Sequence, residues 1–210
     1  MAASDQAGFP MPVAALSSGK PMPRIGLGTA SIPLGEAGDR PHVREAILRA
    51  LDAGYRHLDT AAVYGTERAV GDAVAEAMRA GTIASRDDVY VTSKLWIADA
   101  HPGRVLPALR KILQNLQMEY VDMYLIHFPV RMKLPDDGER WSVVVKENLV
   151  AMDMKGVWEE CHRKGLAKAI GVSNFTCKKL EYLLSFARII PAANQMLLVM
   201  GFAFMGVVVV

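Results

Sequence analysis

The chain has 210 residues, of which 51% are hydrophobic and 22% are charged, and its formal net charge is +2. This composition is typical of one globular domain and excludes disordered and fibrous classes of protein. Because acidic and basic residues are interspersed, the charge favours neither nucleic acid nor an anionic membrane as a partner.

In chain order, a small hairpin precedes an alternation of short apolar strands and helices. The hairpin is predicted within Val13–Pro23, where apolar stretches flank a turn-like serine and glycine segment. The strands are predicted at Arg24–Thr29, Tyr55–Asp59, Val89–Lys94, Asp122–His127 and Ala169–Ser173. The helices are predicted at Pro41–Ala53, Glu67–Ala80, Pro102–Leu116, within Val150–Lys164 and around Leu180–Phe186.

This alternation predicts a parallel sheet covered by helices, because each return to a parallel strand needs a crossover. An open doubly wound sheet and a barrel both satisfy the pattern. Residues with reactive side chains stand at the ends of several strands, which favours the (β/α)8 barrel. An open sheet would instead bind its ligand at one point, where the strand order reverses. The glycines Gly26 and Gly28 also lack the third glycine of a dinucleotide fingerprint, because Ser31 stands there. Phe128–Ser142 is predicted as a long loop over the barrel.

Two further features concern the setting of the protein. The cysteines Cys161 and Cys177 form no CxxC pair and stand near no second ligand at metal-binding spacing, which predicts neither a disulfide framework nor a metal site. The segment MAASDQAGFPMPVAAL lacks the charged region and long apolar run of a secretion signal. The expected setting is therefore the cytoplasm, with a small molecule as the partner.

Four residues at or just after the predicted strand ends can do carbonyl chemistry together: Asp59, Tyr64, Lys94 and His127. Reducing a carbonyl by hydride transfer leaves negative charge on its oxygen, so the site needs a proton donor with positive charge nearby. Tyr64 is the expected donor, and the ammonium of Lys94 would favour its phenolate. Asp59 would keep the buried lysine charged. His127, neutral or protonated, would orient the carbonyl by a hydrogen bond.

Each of these residues also has a purely structural interpretation. Asp59 could make local backbone hydrogen bonds, and Tyr64 could be an aromatic at the rim with its hydroxyl in water. Lys94 and His127 end strongly apolar strands, where a residue with only a structural role would usually be apolar. A lone histidine at such a position could still be a core residue whose ring nitrogens are hydrogen-bonded. The joint occurrence of all four favours a carbonyl-reducing site.

The segments GLGTA, YRHLDTAAVYGTE, TSKLW, MEYVDMYLIHFP and KAIGVSNF resemble the aldo-keto reductase superfamily. Over Ala14–Gln195 the chain is similar to its plant reductases, the group that includes deoxymugineic acid synthase, chalcone reductase and codeinone-type reductases. The resemblance implies a (β/α)8 barrel that uses NADPH to reduce an aldehyde or ketone to an alcohol by direct hydride transfer, without a metal. It implies the same roles for Tyr64, Lys94, Asp59 and His127.

The resemblance also implies cofactor and substrate positions. Those near the nicotinamide are Gly28, Thr29 and Asp59, and those holding its carboxamide are Ser173, Asn174 and Gln195. The substrate pocket would include Ala30, Val63, Trp96 and Phe128. Ordinary packing at the top of the barrel explains Val63 equally well. Many family members have tryptophan in place of Ala30 and Phe128, so the resemblance does not predict which substrate this chain binds.

After Gln195 the sequence MLLVMGFAFMGVVVV departs from the family, whose members continue through two more strands. The predicted organisation is therefore a truncated reductase domain over 13–195, with about six of the eight strands, and an apolar tail over 196–210. Unpaired edges on the first and sixth strands are expected to lower stability and activity, and to permit self-association or aggregation.

Three interpretations of the tail remain open. It could be a non-native extension after a frame change or a retained intron, a sixth strand that pairs with another chain, or a membrane anchor, although it is shorter than the ~20 residues of a spanning helix. The functional alternative to a reductase is a non-catalytic binding or regulatory fragment that associates with an intact paralogue.

Overall fold

The computed structural model describes residues 12–17, 20–30, 40–134, 144–152, 159–200 and 203–209. The strands in these ranges are β1 (Val13–Ala14), β2 (Met22–Pro23), β3 (Leu27–Gly28), β4 (His57–Asp59), β5 (Tyr90–Leu95), β6 (Val121–Ile126), β7 (Val130–Met132), β8 (Leu149–Ala151), β9 (Ala167–Ser173), β10 (Asn194–Met200) and β11 (Ala203–Val209). The helices are α1 (Pro41–Asp52), α2 (Glu67–Ala80), α3 (Val105–Leu116), α4 (Glu159–Arg163) and α5 (Cys177–Leu184).

The main sheet contains six parallel strands in the order β3-β4-β5-β6-β9-β10. Helices α1, α2 and α3 each connect one of these strands to its neighbour, as parallel pairing requires. The β1–β2 hairpin precedes the sheet and forms an antiparallel pair of its own. The structure confirms the predicted incomplete barrel of six strands with an N-terminal hairpin.

Helix α2 shows how the sequence forms these elements. Its bounds coincide with the predicted helix, and Gly81, at a φ of 79°, ends it in the left-handed conformation that favours glycine. Its buried face includes Val70 and Val74, spaced one turn apart, which pack into the core. Gly71 lies against the end of α3, where an added Cβ would lie 2.2 Å from the carbonyl oxygen of Leu116. Only glycine allows the two helices to approach this closely.

The N-terminal hairpin is attached to the sheet through the buried carboxylate of Asp122. Lys20 Nζ lies 2.5 Å from Asp122 Oδ1, and Arg86 Nη2 lies 2.8 Å from Asp122 Oδ2. The backbone N–H of Val91 donates to the same Oδ2 at 2.8 Å. Because Asp122 is near the start of β6, these contacts place the hairpin at the amino ends of the strands, opposite the ends that carry the predicted site.

Two strand pairs differ from the prediction. The segment predicted as a long loop, Phe128–Ser142, contains β7, which pairs antiparallel with β8. Residues 135–142 of that segment lie outside the described ranges. The sixth strand, β10, continues to Met200 and pairs along its length with β11. The prediction of an unpaired sixth strand was therefore wrong, because an uncharged run without proline can return as an antiparallel strand.

The edge at the first strand agrees with the prediction, since β3 pairs only with β4 among the described residues. The helix predicted within Val150–Lys164 appears as α4, and residues 153–158 lie outside the described ranges. Among the described residues, none of the helices has both the length and the apolar character needed to cross a bilayer.

Candidate active site

The predicted site residues lie at the carboxyl ends of the parallel strands. Asp59 ends β4, Lys94 is the penultimate residue of β5, His127 follows β6 and Ser173 ends β9. The backbone N–H of His127 donates to the carbonyl of Leu95 at 3.2 Å, which holds His127 beside the end of β5. Parallel strands thus bring residues that are distant in sequence to one end of the barrel.

A buried ion pair forms the base of the site. Lys94 Nζ lies 2.5 Å from Asp59 Oδ1, and the side chains of the lysine and the aspartate are 2% and 16% exposed. The ammonium also donates to the backbone carbonyl of Thr60 at 3.1 Å. A buried ammonium needs such acceptors, and Asp59 and Thr60 supply two of them; the role predicted for Asp59 stays a prediction.

Tyr64 and His127 face this ammonium. Tyr64 ends a short 3₁₀ helix, Ala62–Tyr64, and Gly65 follows in the left-handed conformation at a φ of 67°. Lys94 Nζ lies 5.1 Å from the centre of the Tyr64 ring, and the His127 ring centre lies 5.7 Å from it, edge to face. The four predicted catalytic side chains therefore meet in one cluster.

His127 is neutral in this environment. Burial, together with the nearby Lys94 ammonium, lowers the pKa of its imidazole from 6.5 to about 3, and Asp59 opposes this shift only in part. Its Nδ1 is buried and has no hydrogen-bond partner among the described residues. A neutral imidazole can donate one hydrogen bond and accept another, which suits binding a carbonyl oxygen rather than supplying its proton.

Aromatic rings form a wall beside His127. Phe128 stacks on the imidazole with ring centres 4.6 Å apart, and Trp96 contacts it edge to face at 5.6 Å. Phe128 is 36% exposed, so part of this wall faces the outside. The other two residues predicted for the substrate pocket flank the site in sequence: Ala30 is exposed after β3, and Val63 is partly buried before Tyr64.

Amide and hydroxyl groups approach from the other strands. The Ser173 hydroxyl donates to the backbone carbonyl of Gln195 at 2.8 Å, and the Asn174 side-chain amide donates to the backbone carbonyl of His127 at 2.9 Å. The Gln195 amide donates to Asp59 Oδ2 at 3.0 Å. Asn174 and Gln195 therefore contact the cluster directly, through His127 and Asp59, and Ser173 is joined to it through Gln195.

The structure adds residues that the sequence did not single out. Thr60 and Thr66 are fully buried, and their hydroxyl groups lie 3.0 Å apart. The Thr66 hydroxyl also lies 2.9 Å from that of Thr29. The segments HLDT and YGTE contain the two threonines, but a sequence does not show which hydroxyls meet.

Among the described residues, no group of three or more His, Cys, Asp or Glu side chains could hold a metal ion.

Comparison with known proteins agrees with this arrangement. Residues 24–201 match the aldo/keto reductase family model. The chain is 58% identical over 178 residues to deoxymugineic acid synthase 1-A of Triticum aestivum, an alignment that covers 83% of this chain and 54% of that protein. It is 48% identical over 188 residues to NADPH-dependent codeinone reductase 1-4 of Papaver somniferum, covering 88% of this chain and 57% of that protein.

Solved structures give the same result. A crystal structure of a Bombyx mori aldo-keto reductase in complex with NADP is similar, with a TM-score of 0.76 and 35% identity. The match covers 91% of this chain and 59% of that one. The chain thus spans little more than half the length of the relatives that it matches. Because the family model extends over most of the chain, from residue 24 to residue 201, the protein belongs to the aldo/keto reductase family.

Proposed function

We propose that this chain carries the catalytic half of an NADPH-dependent carbonyl reductase that converts an aldehyde or a ketone to an alcohol, with Tyr64 as the proton donor. The observation that supports this most directly is the position of the Lys94 ammonium. It is buried 2.5 Å from the Asp59 carboxylate and 5.1 Å from the centre of the Tyr64 ring. A lysine with only a structural role would not require a phenol and a neutral imidazole beside its ammonium group.

The residues present fit a nicotinamide cofactor, which when bound would supply the hydride. Gly28 lies beside Asp59 in the sheet, and an added Cβ at Gly28 would meet no atom of the described residues within 4 Å, which leaves room for a ligand beside this strand end. Ser173, Asn174 and Gln195 would hold the carboxamide, while Gly28, Thr29 and Asp59 would border the ring. The codeinone reductase relative is described as NADPH-dependent, which supports NADPH as the cofactor of this chain.

The chain's own residues then divide the remaining chemistry. The Tyr64 hydroxyl donates its proton to the carbonyl oxygen as negative charge develops there. The Lys94 ammonium stabilises the phenolate that remains, and Asp59 keeps the ammonium charged and in place. Neutral His127 donates a hydrogen bond to the same carbonyl oxygen and sets its orientation. Trp96 and Phe128 offer apolar surface to the body of the substrate and exclude water from it.

A Tyr64→Phe substitution tests this assignment. Turnover of a panel of simple aldehydes and ketones is expected to fall about 10²–10⁴-fold, the usual contribution of a positioned acid, while binding of NADPH is retained. Tyr182→Phe is the matched control, because Tyr182 is 54% exposed on α5, and we expect it to keep full turnover. Unchanged turnover in Tyr64→Phe would contradict the assignment.

The same experiment separates the alternative function. A non-catalytic fragment would turn over no carbonyl compound before any substitution was made. The edge of β3, which pairs on one side only among the described residues, is where such a fragment would associate with an intact paralogue. A full-length reductase that copurifies with a chain lacking turnover would favour that alternative.

A further inference from the structure

We propose that Thr66 is a positioning residue for this site. It holds the Tyr64 turn, which consists of Ala62–Tyr64 and Gly65, against the Asp59–Lys94 pair through a directed chain of threonine hydroxyls. The proposal rests on the proposed function, because it assigns the hydroxyl chain to the carbonyl-reducing site. Thr66 itself is not a catalytic residue, since it acts through the groups that it holds.

The three hydroxyls form a continuous path to the backbone of Asp59. Thr60 Oγ1 lies 3.0 Å from Thr66 Oγ1, which lies 2.9 Å from Thr29 Oγ1. Thr29 Oγ1 in turn donates to the backbone carbonyl of Asp59 at 3.0 Å. Thr60 and Thr66 are 0% exposed and Thr29 is 4% exposed, so water cannot replace a lost partner without entering the core.

The direction of this chain follows from the number of hydrogens. Each hydroxyl carries one hydrogen, and a carbonyl oxygen can only accept. Thr29 therefore uses its hydrogen on the Asp59 carbonyl and must accept one from Thr66. Thr66 has then used its own hydrogen and must accept from Thr60. The hydrogen bonds run from Thr60 to Thr66 to Thr29 to Asp59, with Thr66 as the only member bonded to two hydroxyls.

A capping role does not explain the Thr66 hydroxyl. Thr66 is the N-cap residue of α2, and a threonine there usually accepts a hydrogen bond from an amide in the first helical turn. Here its side chain makes no capping hydrogen bond. Its carbonyl accepts from the N–H of Val70 at 3.0 Å, so the helix anchors Thr66 by the backbone and leaves the hydroxyl for the site.

The chain connects to both halves of the catalytic cluster. The Thr60 carbonyl accepts from Lys94 Nζ at 3.1 Å, so one residue contacts the ammonium and donates to Thr66. Tyr64 is two residues before Thr66, across the left-handed Gly65, and its own N–H donates to Ala61 at 2.9 Å. A shift of Thr66 would therefore move the Tyr64 ring relative to Lys94, and small misplacements in an active site are costly.

Two variants test the proposal: Thr66→Val, which has nearly the same shape but no hydroxyl, and Thr66→Ser, which keeps the hydroxyl. Amide hydrogen exchange is followed by NMR at Tyr64 and Thr29. Tyr90 serves as an internal control, because its N–H bonds to Arg56 at 2.7 Å at the opposite end of the strands. In Thr66→Val, exchange at Tyr64 and Thr29 is expected to rise about tenfold with Tyr90 unchanged, and Thr66→Ser is expected to match the unmodified chain.

Turnover gives a second measurement. The kcat for carbonyl reduction is expected to fall about ten- to a hundredfold in Thr66→Val and to recover in Thr66→Ser. Unchanged exchange at Tyr64 in Thr66→Val, an equal rise at Tyr90, or a Thr66→Ser variant that behaves like the valine variant would each overturn the proposal.

Two further outcomes are also decisive. If Thr66→Val does not fold, Thr60→Val is used instead, because it removes only the first hydrogen bond of the chain, the one from Thr60 to Thr66. We then expect exchange at Tyr64 to rise about threefold, and no change there would overturn the proposal. If the unmodified chain reduces no carbonyl compound, the proposed function fails, whereas the exchange measurements still decide whether Thr66 holds the Tyr64 turn.

Discussion

Removing either member of the buried Asp59–Lys94 pair is expected to destabilise the chain, but by unequal amounts. Asp59→Asn leaves an ammonium whose side chain is 2% exposed without its counterion, and breaking a buried pair in this way costs about 3–5 kcal/mol. Lys94→Met leaves a carboxylate that is 16% exposed and still accepts from the Gln195 amide at 3.0 Å, so we expect a smaller loss of about 1–3 kcal/mol.

The double variant completes a thermodynamic cycle, since it contains no unpaired charge. We expect it to lose about 1–3 kcal/mol, well below the sum of the single losses, which corresponds to a coupling free energy of about 3–5 kcal/mol. The assay is urea unfolding of the four proteins, followed by circular dichroism at neutral pH. Additive losses, or a Lys94→Met variant less stable than Asp59→Asn, would refute the reasoning that the aspartate keeps a buried lysine charged.

Other predictions follow from single contacts. The His127 imidazole has a pKa of about 3 in the folded chain and 6.5 in the unfolded chain. The unfolded chain therefore takes up a proton first as the pH falls below 6.5, and the folded state loses about 2 kcal/mol of stability by pH 5. Urea unfolding of His127→Gln should lack that part of the pH dependence. Gly71→Ala is expected to cost about 3 kcal/mol, because its Cβ would meet a rigid backbone carbonyl of Leu116, and thermal unfolding measures the loss. Arg86→Met should cost about 2–3 kcal/mol and Lys20→Met about 1 kcal/mol, because their side chains are 18% and 35% exposed beside the same buried carboxylate; equal losses would contradict this ranking.

The sequence predicted the parallel half of the fold well, because local signals specify its elements. The bounds of α2 agree with the prediction at both ends, where a threonine precedes the helix and Gly81 ends it. Helix α3 starts at Val105 rather than Pro102, since Gly103, at a φ of 79°, interrupts the first turn. These residues show their conformational preferences in the sequence itself.

Antiparallel pairing between β7 and β8, and between β10 and β11, was not predicted. The first pair joins Val130–Met132 to Leu149–Ala151, two segments of three residues that are too short to show an alternating strand pattern. The second lies in an unbroken apolar run after Gln195, where no polar turn marks the point of reversal. Pairing of this kind depends on which edges are free in the folded sheet, and a sequence pattern does not give that information.

In the candidate site, too, some features could be predicted from the sequence and others depend on the folded structure. Asp59, Lys94 and His127 could be predicted, because polar residues at the ends of apolar strands stand out and parallel strands bring them to one end. The directed hydroxyl chain through Thr66 could not, since it depends on distances of about 3 Å between side chains on three separate segments. That His127 is neutral also depends on its burial and on the Lys94 ammonium, which are properties of the folded chain.

The most direct test of the proposed function is a titration of NADPH into the purified 210-residue chain, following nicotinamide fluorescence, with NADH measured beside it. The proposal predicts saturable binding of NADPH, with weaker binding of NADH, and turnover once an aldehyde is added. A chain that unfolds cooperatively in urea, and is therefore folded, yet binds neither nucleotide would contradict the proposal that its residues form a working carbonyl-reducing site.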